Sequence, residues 1–147
     1  YSYKSFLYLG KNLNYPVALE GALKLKEVSY IHAEGYPSGG LKHGPLALID
    51  SQMATTVIMP KDSMFVKNLN IVKEIKSKGG KVISITSNQT EAGSNKDDDT
   101  IYIPDTSELI SPLLTCIPLQ LFSYFTAIKL GRNIDKPRNL SKSVTVE

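Results

Sequence analysis

Four short apolar runs constrain this chain more than anything else in its sequence. They are Phe6–Leu9, Thr55–Met59, Val82–Thr86 and Ile101–Ile103. None alternates apolar with polar residues, as a strand with one wet face would. Unbroken runs of this length suit strands covered on both faces, the situation of a parallel sheet. Helix-patterned segments separate them. Asn14-Tyr15-Pro16 opens the first, with Pro16 suited to a first turn, and the pattern predicts its end near His32 or Ala33. Gly35, Pro37, Gly39 and Gly40 then read as a turn-rich connection, followed by a short helix around Leu41 to Ile49. Asp62-Ser63 can cap a helix carrying Phe65, Leu69, Val72 and Ile75 on one face, stopped by Gly79-Gly80. A long apolar helix ends at Gly131, and a polar tail follows. Alternating strands and helices predict an α/β fold: a parallel sheet with helices on both faces, binding its ligands beyond the carboxyl ends of the strands, where Gly10, Pro60 and Thr86 lead.

At 147 residues the chain is one domain with room for a sizeable core. Its net charge of +3 is small and its lysines are scattered, so no nucleic-acid-binding face is expected. Cys116 is the only cysteine, which excludes an internal disulfide framework and suits a reducing, cytoplasmic compartment. It lies in the apolar run LLTCIPL and reads as packed rather than reactive. The opening YSYKSFLYLG holds no long apolar segment, so no signal peptide is expected there. Leu109 to Gly131 is interrupted by Ser111, Pro112, Pro118, Gln120, Ser123 and Lys129 and reads as a buried helix, not a membrane span.

Candidate chemistry begins on the first helix. At about 100° per residue, Glu20, Lys24 and Glu27 fall within about 60° of arc. Val17, Ala18, Leu19, Ala22, Leu23, Leu25 and Val28 cover most of the rest. The stripe is either a proton-handling cluster or a solvated Glu–Lys pairing worth about 0.2–0.5 kcal/mol, and pattern alone leaves both open. His43, in the glycine-flanked GGLKHGP, suits acid–base work near neutral pH, although a lone histidine is more often structural. His32 reads as a cap at the helix end. Lys96-Asp97-Asp98-Asp99 reads as a solvated loop, not a cation site, and the Ser87-Asn88-Gln89-Thr90 loop could hydrogen-bond a ligand. No metal or cofactor motif is present: no GxGxxG, Walker A, CxxC or HExxH.

Two stretches are longer and more specific than any motif. YLGKNLNYPVALEGALKLKEVSYIHAEGYPSGGLKHGPLALID closely resembles the second sugar-isomerase (SIS) module of the glutamine–fructose-6-phosphate aminotransferase family, and IDKPRNLSKSVTVE resembles that family's terminal segment. The resemblance implies a flavodoxin-like fold with a five-stranded parallel sheet, an SIS module over residues 1–134 and a catalytic tail over 135–147. It implies isomerisation of fructose 6-phosphate on the way to glucosamine 6-phosphate. Glu27 would move the proton between C1 and C2, and Lys24 would act at the C2 hydroxyl. His43 would help open the sugar ring in the neighbouring subunit's site. Lys142 would form a Schiff base with the open-chain ketose. Glu20 and Ser141 would bind or orient substrate. The chain departs from the family at Gly40, where glutamate is common (GELKHGP). It also lacks the glutaminase domain and the first SIS module, whose Ser/Thr-rich loops bind the sugar phosphate. A C-terminal piece of a larger, homodimeric enzyme is therefore expected, inactive by itself. The rival readings are a non-catalytic sugar-phosphate sensor, which would need no Schiff-base lysine, and a dimerisation module.

Overall fold

The computed structural model describes residues 2–89 and 99–141. Five strands form one wholly parallel sheet in the order β2-β1-β3-β4-β5. They are β1 (Ser5–Gly10), β2 (His32–Pro37), β3 (Met53–Ile58), β4 (Lys81–Thr86) and β5 (Asp99–Tyr102). The helices are α1 (Asn14–Ser29), α2 (Phe65–Ser77) and α3 (Ser111–Lys129). Alternate residues of β1 feed two cores. Phe6 and Tyr8 point to α1 and α3, packing with Ala18, Ala22, Leu25 and Leu119. Leu7 and Leu9 point to α2, packing with Leu41, Val57, Val72 and Ile75. This is the three-layer α/β architecture expected of the four apolar runs.

The fifth strand, β2, lies in the stretch whose glycines and proline read as turns. Gly35 is needed there for closeness, not for turning. A Cβ on it would come 2.8 Å from the Leu19 Cα of α1, so α1 lies against the bare backbone of β2. Pro37 ends the strand. The helix before it stops earlier than expected, at Ser29 instead of His32 or Ala33. The Ser29 hydroxyl donates to the Leu25 carbonyl (2.6 Å) and accepts the Ile31 N–H (3.2 Å), while Tyr30 turns left-handed at φ 65°. His32 is therefore no helix cap. It stands exposed on β2, 3.2 Å from the Glu34 carboxylate. Instead of the short helix around Leu41 to Ile49 there are two single 3₁₀ turns, Ser38–Gly40 and Pro45–Leu48.

α3 is long and apolar enough to cross a membrane by length and composition. Here it packs on α1 through a narrow stripe of mostly small and hydroxylated residues: Ser111, Thr115, Leu119, Ser123, Thr126 and Ala127. The expectation of a buried helix thus holds for one face only. Its outer face exposes Leu113, Ile117, Leu121, Phe125 and Ile128. Asn14 joins the start of α1 to α3, donating to the Ser111 hydroxyl (3.3 Å) and accepting from Thr115 (2.8 Å). Asn14→Ala is expected to lower stability by about 1–3 kcal/mol, read from the urea midpoint, because both buried hydroxyls lose a partner.

Candidate active site

α1 leaves the carboxyl edge of the sheet just after Gly10 and runs back antiparallel to β1. It ends three residues before His32, which pairs with Ser5 at the start of β1. The charged stripe therefore lies along the outside of the sheet, with Glu27 near the amino ends of the strands. That differs from the crevice beyond Gly10, Pro60 and Thr86 expected of a doubly wound sheet. The reason lies in helix length: Glu27 is 13 residues past Asn14, about 20 Å along the axis.

Within the stripe, the Lys24 ammonium donates to the Glu27 carboxylate at 2.9 Å and lies 3.7 Å from Glu20. All three side chains are about one-third exposed, at 37%, 39% and 31% for Lys24, Glu20 and Glu27. Such a half-wet trio adds about 0–1 kcal/mol to stability. Its electrostatic effect is clearer. The Glu27 hydrogen bond, opposed next by burial and reinforced by the charges of Glu27 and then Glu20, holds the Lys24 pKa above the ordinary lysine value. Lys24 therefore stays cationic throughout the neutral range. A lysine that attacks a carbonyl needs the opposite shift. Lys24 is suited to donate hydrogen bonds to a substrate oxygen, leaving imine chemistry to another amine.

Two cavities flank the stripe. One, of about 380 Å³, opens between α1 and α3 and is lined by Lys24, Val28, Ile117, Leu121, Tyr124 and Ile134. The other, of about 250 Å³, is lined by Lys26, Glu27, Tyr30, Arg138, Asn139 and Leu140. The polar tail thus folds back over the end of α1. Asn133 starts the reversal, its side-chain oxygen accepting the N–H groups of Asp135 and Lys136 at 3.0 Å each. Arg138 completes it: its N–H donates to the Tyr30 hydroxyl (2.9 Å) and its guanidinium lies 4.2 Å from the ring centre. The Arg132 guanidinium lies over the same ring at 5.1 Å.

The structure therefore brings Glu20, Lys24 and Glu27 together and adds the segment leading to Ser141, which is exposed. Lys142 lies outside the described residues, as do Thr90 and most of the Lys96–Asp99 run. His43 is not part of this group. It is exposed in the turn after β2, its N–H donating to the Gly40 carbonyl (3.0 Å), and neighbouring Leu41 packs in the core on the opposite side of the sheet. Neither cavity contains His43. No cluster of three or more metal-ligating side chains occurs among the described residues. Sequence reading missed Tyr30, Arg132 and Arg138. Only the coincidence of an aromatic residue at a helix end with two arginines in a polar tail hinted at them.

The SIS domain family matches residues 1–130. The chain is 57% identical over 144 residues to a glutamine–fructose-6-phosphate aminotransferase (isomerizing) of Aquifex aeolicus, covering 98% of this chain and 24% of that protein. Among solved structures, it resembles the C-terminal domain of glucosamine-fructose-6-phosphate aminotransferase from Francisella tularensis with a TM-score of 0.85, at 41% identity over 91% of this chain and 38% of that one. It resembles a glucosamine-6-phosphate deaminase from Thermotoga maritima with a TM-score of 0.78, at 27% identity over 99% of this chain and 41% of that one. The chain spans about a quarter of the length of the curated relatives it matches. Its parallel sheet in the order β2-β1-β3-β4-β5 and the match over residues 1–130 give one conclusion: the chain belongs to the SIS domain family.

Proposed function

We propose that this chain is the C-terminal SIS module of a glucosamine-6-phosphate synthase, which converts fructose 6-phosphate and glutamine to glucosamine 6-phosphate and glutamate. The observation that carries this reading is the Lys24–Glu27 pair, with Glu27 in the same cavity wall as residues 138–140, which precede Ser141 and Lys142 in the sequence. Conversion of a ketose to an aldose through an enediol needs a base that can serve two adjacent carbons. Glu27 is a carboxylate with one edge open to the cavity, and it takes the proton from C1 and returns it at C2. Lys24, held cationic, steadies the C2 oxygen as charge develops there. Condensation of the Lys142 amine with the open-chain C2 carbonyl expels the C2 oxygen as water, after Lys24 has steadied that oxygen, and the resulting iminium draws electrons from C1 more strongly than the carbonyl does. Glu20 and Ser141 orient the sugar, and His43 opens the ring in a neighbouring subunit, consistent with its distance in the fold from the stripe of its own chain.

The exposed apolar face of α3 supports the view that other parts of the same enzyme, an SIS module and a glutaminase domain, complete the protein. A homodimer in the cytoplasm fits the role given to His43 and the single thiol of Cys116. The test is reduction with borohydride of the whole enzyme incubated with fructose 6-phosphate, followed by peptide mass analysis. A hexitol phosphate adduct on Lys142, lost in Lys142→Ala together with sugar isomerisation while glutamine hydrolysis persists, is the expected result. An enzyme that isomerises without trapping sugar at Lys142 overturns the assignment. One that binds sugar phosphate and converts none of it favours the sensor reading.

A further inference from the structure

The most constrained group outside the stripe is Tyr30. A bulky residue at positive φ is a backbone outlier, tolerated where surrounding contacts over-determine it. Tyr30 has φ 65° and ψ 15° and ends α1, with its N–H on the Lys26 carbonyl at 3.1 Å. Its ring carries two guanidinium groups from the segment after α3, Arg132 and Arg138, and its hydroxyl accepts the Arg138 N–H. Arg132 and Arg138 are the only two arginines of the sequence, and both lie over this one ring. Three residues before Tyr30 is Glu27, in the wall of the same cavity. Immediately after Arg138, Asn139 also adopts a left-handed conformation, at φ 61°, and redirects the chain.

We infer that Tyr30, clamped by Arg132 and Arg138, is a positioning residue that holds residues 138–140 against the end of α1 beside Glu27 and so limits the length of free chain between that base and Lys142. This rests on the catalytic reading of the tail given above. The geometry gives the clamp a specific reach. Lys142 is four residues past Arg138, a span of at most about 14 Å of extended chain. With residue 138 fixed beside Glu27, the tether from that fixed point to residue 142 is four residues long. With residue 138 free, the nearest tie is the Asn133 turn, and the tether grows from four residues to nine. Effective concentration at the end of a flexible tether falls roughly as the −3/2 power of its length, about threefold here, before the lost direction of approach is counted. Direction matters more, because a reacting amine has to meet its carbonyl within a narrow range of distance and angle.

Two measurements test this separately from the catalytic assignment. The first uses the full 147-residue chain and trypsin, which cuts after arginine where the backbone can leave its contacts. Cleavage after Arg138 is expected to speed up by about tenfold in Tyr30→Ala, and by less than about threefold in Tyr30→Phe, which keeps the ring beneath the guanidinium groups. Arg132→Gln, which leaves α1 untouched, is expected to accelerate the same cut by about threefold, and it decides the matter if Tyr30→Ala does not fold. Equal cleavage rates in the wild type and the folded variants overturn the clamp. The second uses the whole enzyme. Tyr30→Ala is expected to lower kcat and the borohydride-trapped adduct on Lys142 by about tenfold, with KM for fructose 6-phosphate changed by less than about threefold and Tyr30→Phe restoring most of both. If the wild type traps sugar on Lys142 and Tyr30→Ala traps as much at the same kcat, the inference falls and the catalytic reading stands. If the wild type traps none while isomerising, the catalytic reading falls and the positioning role with it, and trypsin still reads the clamp itself.

Discussion

Replacing Glu27, the proposed general base, with glutamine is expected to slow sugar isomerisation in the proposed whole enzyme by about 10²–10⁴-fold, the usual contribution of a positioned general base. The amide has the shape of the carboxylate and can still accept from the Lys24 ammonium, which donates to Glu27 at 2.9 Å. It cannot carry a proton between C1 and C2. The loss should therefore fall on kcat, with KM for fructose 6-phosphate nearly constant and the folded state intact, since a half-exposed ion pair adds at most about 1 kcal/mol to stability. Glutamine hydrolysis, assigned above to a separate proposed domain, is expected to continue. Glu20→Gln is the sharpest comparison. Its carboxylate is 3.7 Å from Lys24, beyond a direct hydrogen bond, and an orienting role through that charge is worth about fivefold at most. A Glu20→Gln loss as deep as that of Glu27→Gln would move the base from Glu27 to Glu20. Unchanged isomerisation in Glu27→Gln would remove the stripe from the chemistry.

The same pair shows how far a sequence can be read. Spacing put Glu20, Lys24 and Glu27 on one face of a helix, and they are on one face, in contact. Spacing also placed Leu19 and Leu23 in the apolar surface that covers most of the helix, yet each is 43% exposed. A helix that looks apolar nearly all round shows every surface it could cover, and the described residues cover only part of it. The outer face of α3 repeats the lesson: Leu113 is 67% exposed and Phe125 60%, while the buried stripe is largely Ser and Thr. β2 was illegible for another reason. Its Gly35 and Pro37 are turn formers by intrinsic preference, and only the closeness of the α1 backbone, which a Cβ on Gly35 would meet at 2.8 Å, explains why a strand has a glycine there. Left-handed Tyr30 could not be read because the preference for positive φ belongs to Gly and Asn. The contacts that hold it come from residues a hundred positions away. Of the candidate site, the helical part was legible from periodicity. The tail's return to α1 was not, because it depends on one Asn-centred turn and one aromatic ring with no periodic signature.

Gly10→Ala is expected to be the most damaging small substitution in the chain, lowering stability by more than about 4 kcal/mol. Gly10 is the last residue of β1, and the backbone of the first turn of α1 rests directly on it. A Cβ placed there would fall on the Asn14 carbonyl and 2.9 Å from the Tyr15 Cα, and both obstacles are backbone, which no rotamer change can move. Relief requires the start of α1 to shift. That start carries Asn14, whose side chain bonds Ser111 and Thr115 of α3, and Val17 and Ala18, which pack on Phe6 and Tyr8. One methyl group thus pushes α1 away from β1 and α3 together and opens the cavity that Lys24 lines. With total stabilities of about 5–15 kcal/mol for domains of this kind, such a loss removes most of the folded population. Urea unfolding followed by circular dichroism reads it directly. Gly39→Ala is the matched control: its Cβ would meet nothing within 4 Å, and its midpoint should stay within about 0.5 kcal/mol of the wild type. If Gly10→Ala unfolds at the wild-type midpoint, the close seat of α1 on β1 is wrong, and with it the position of the charged stripe along the sheet.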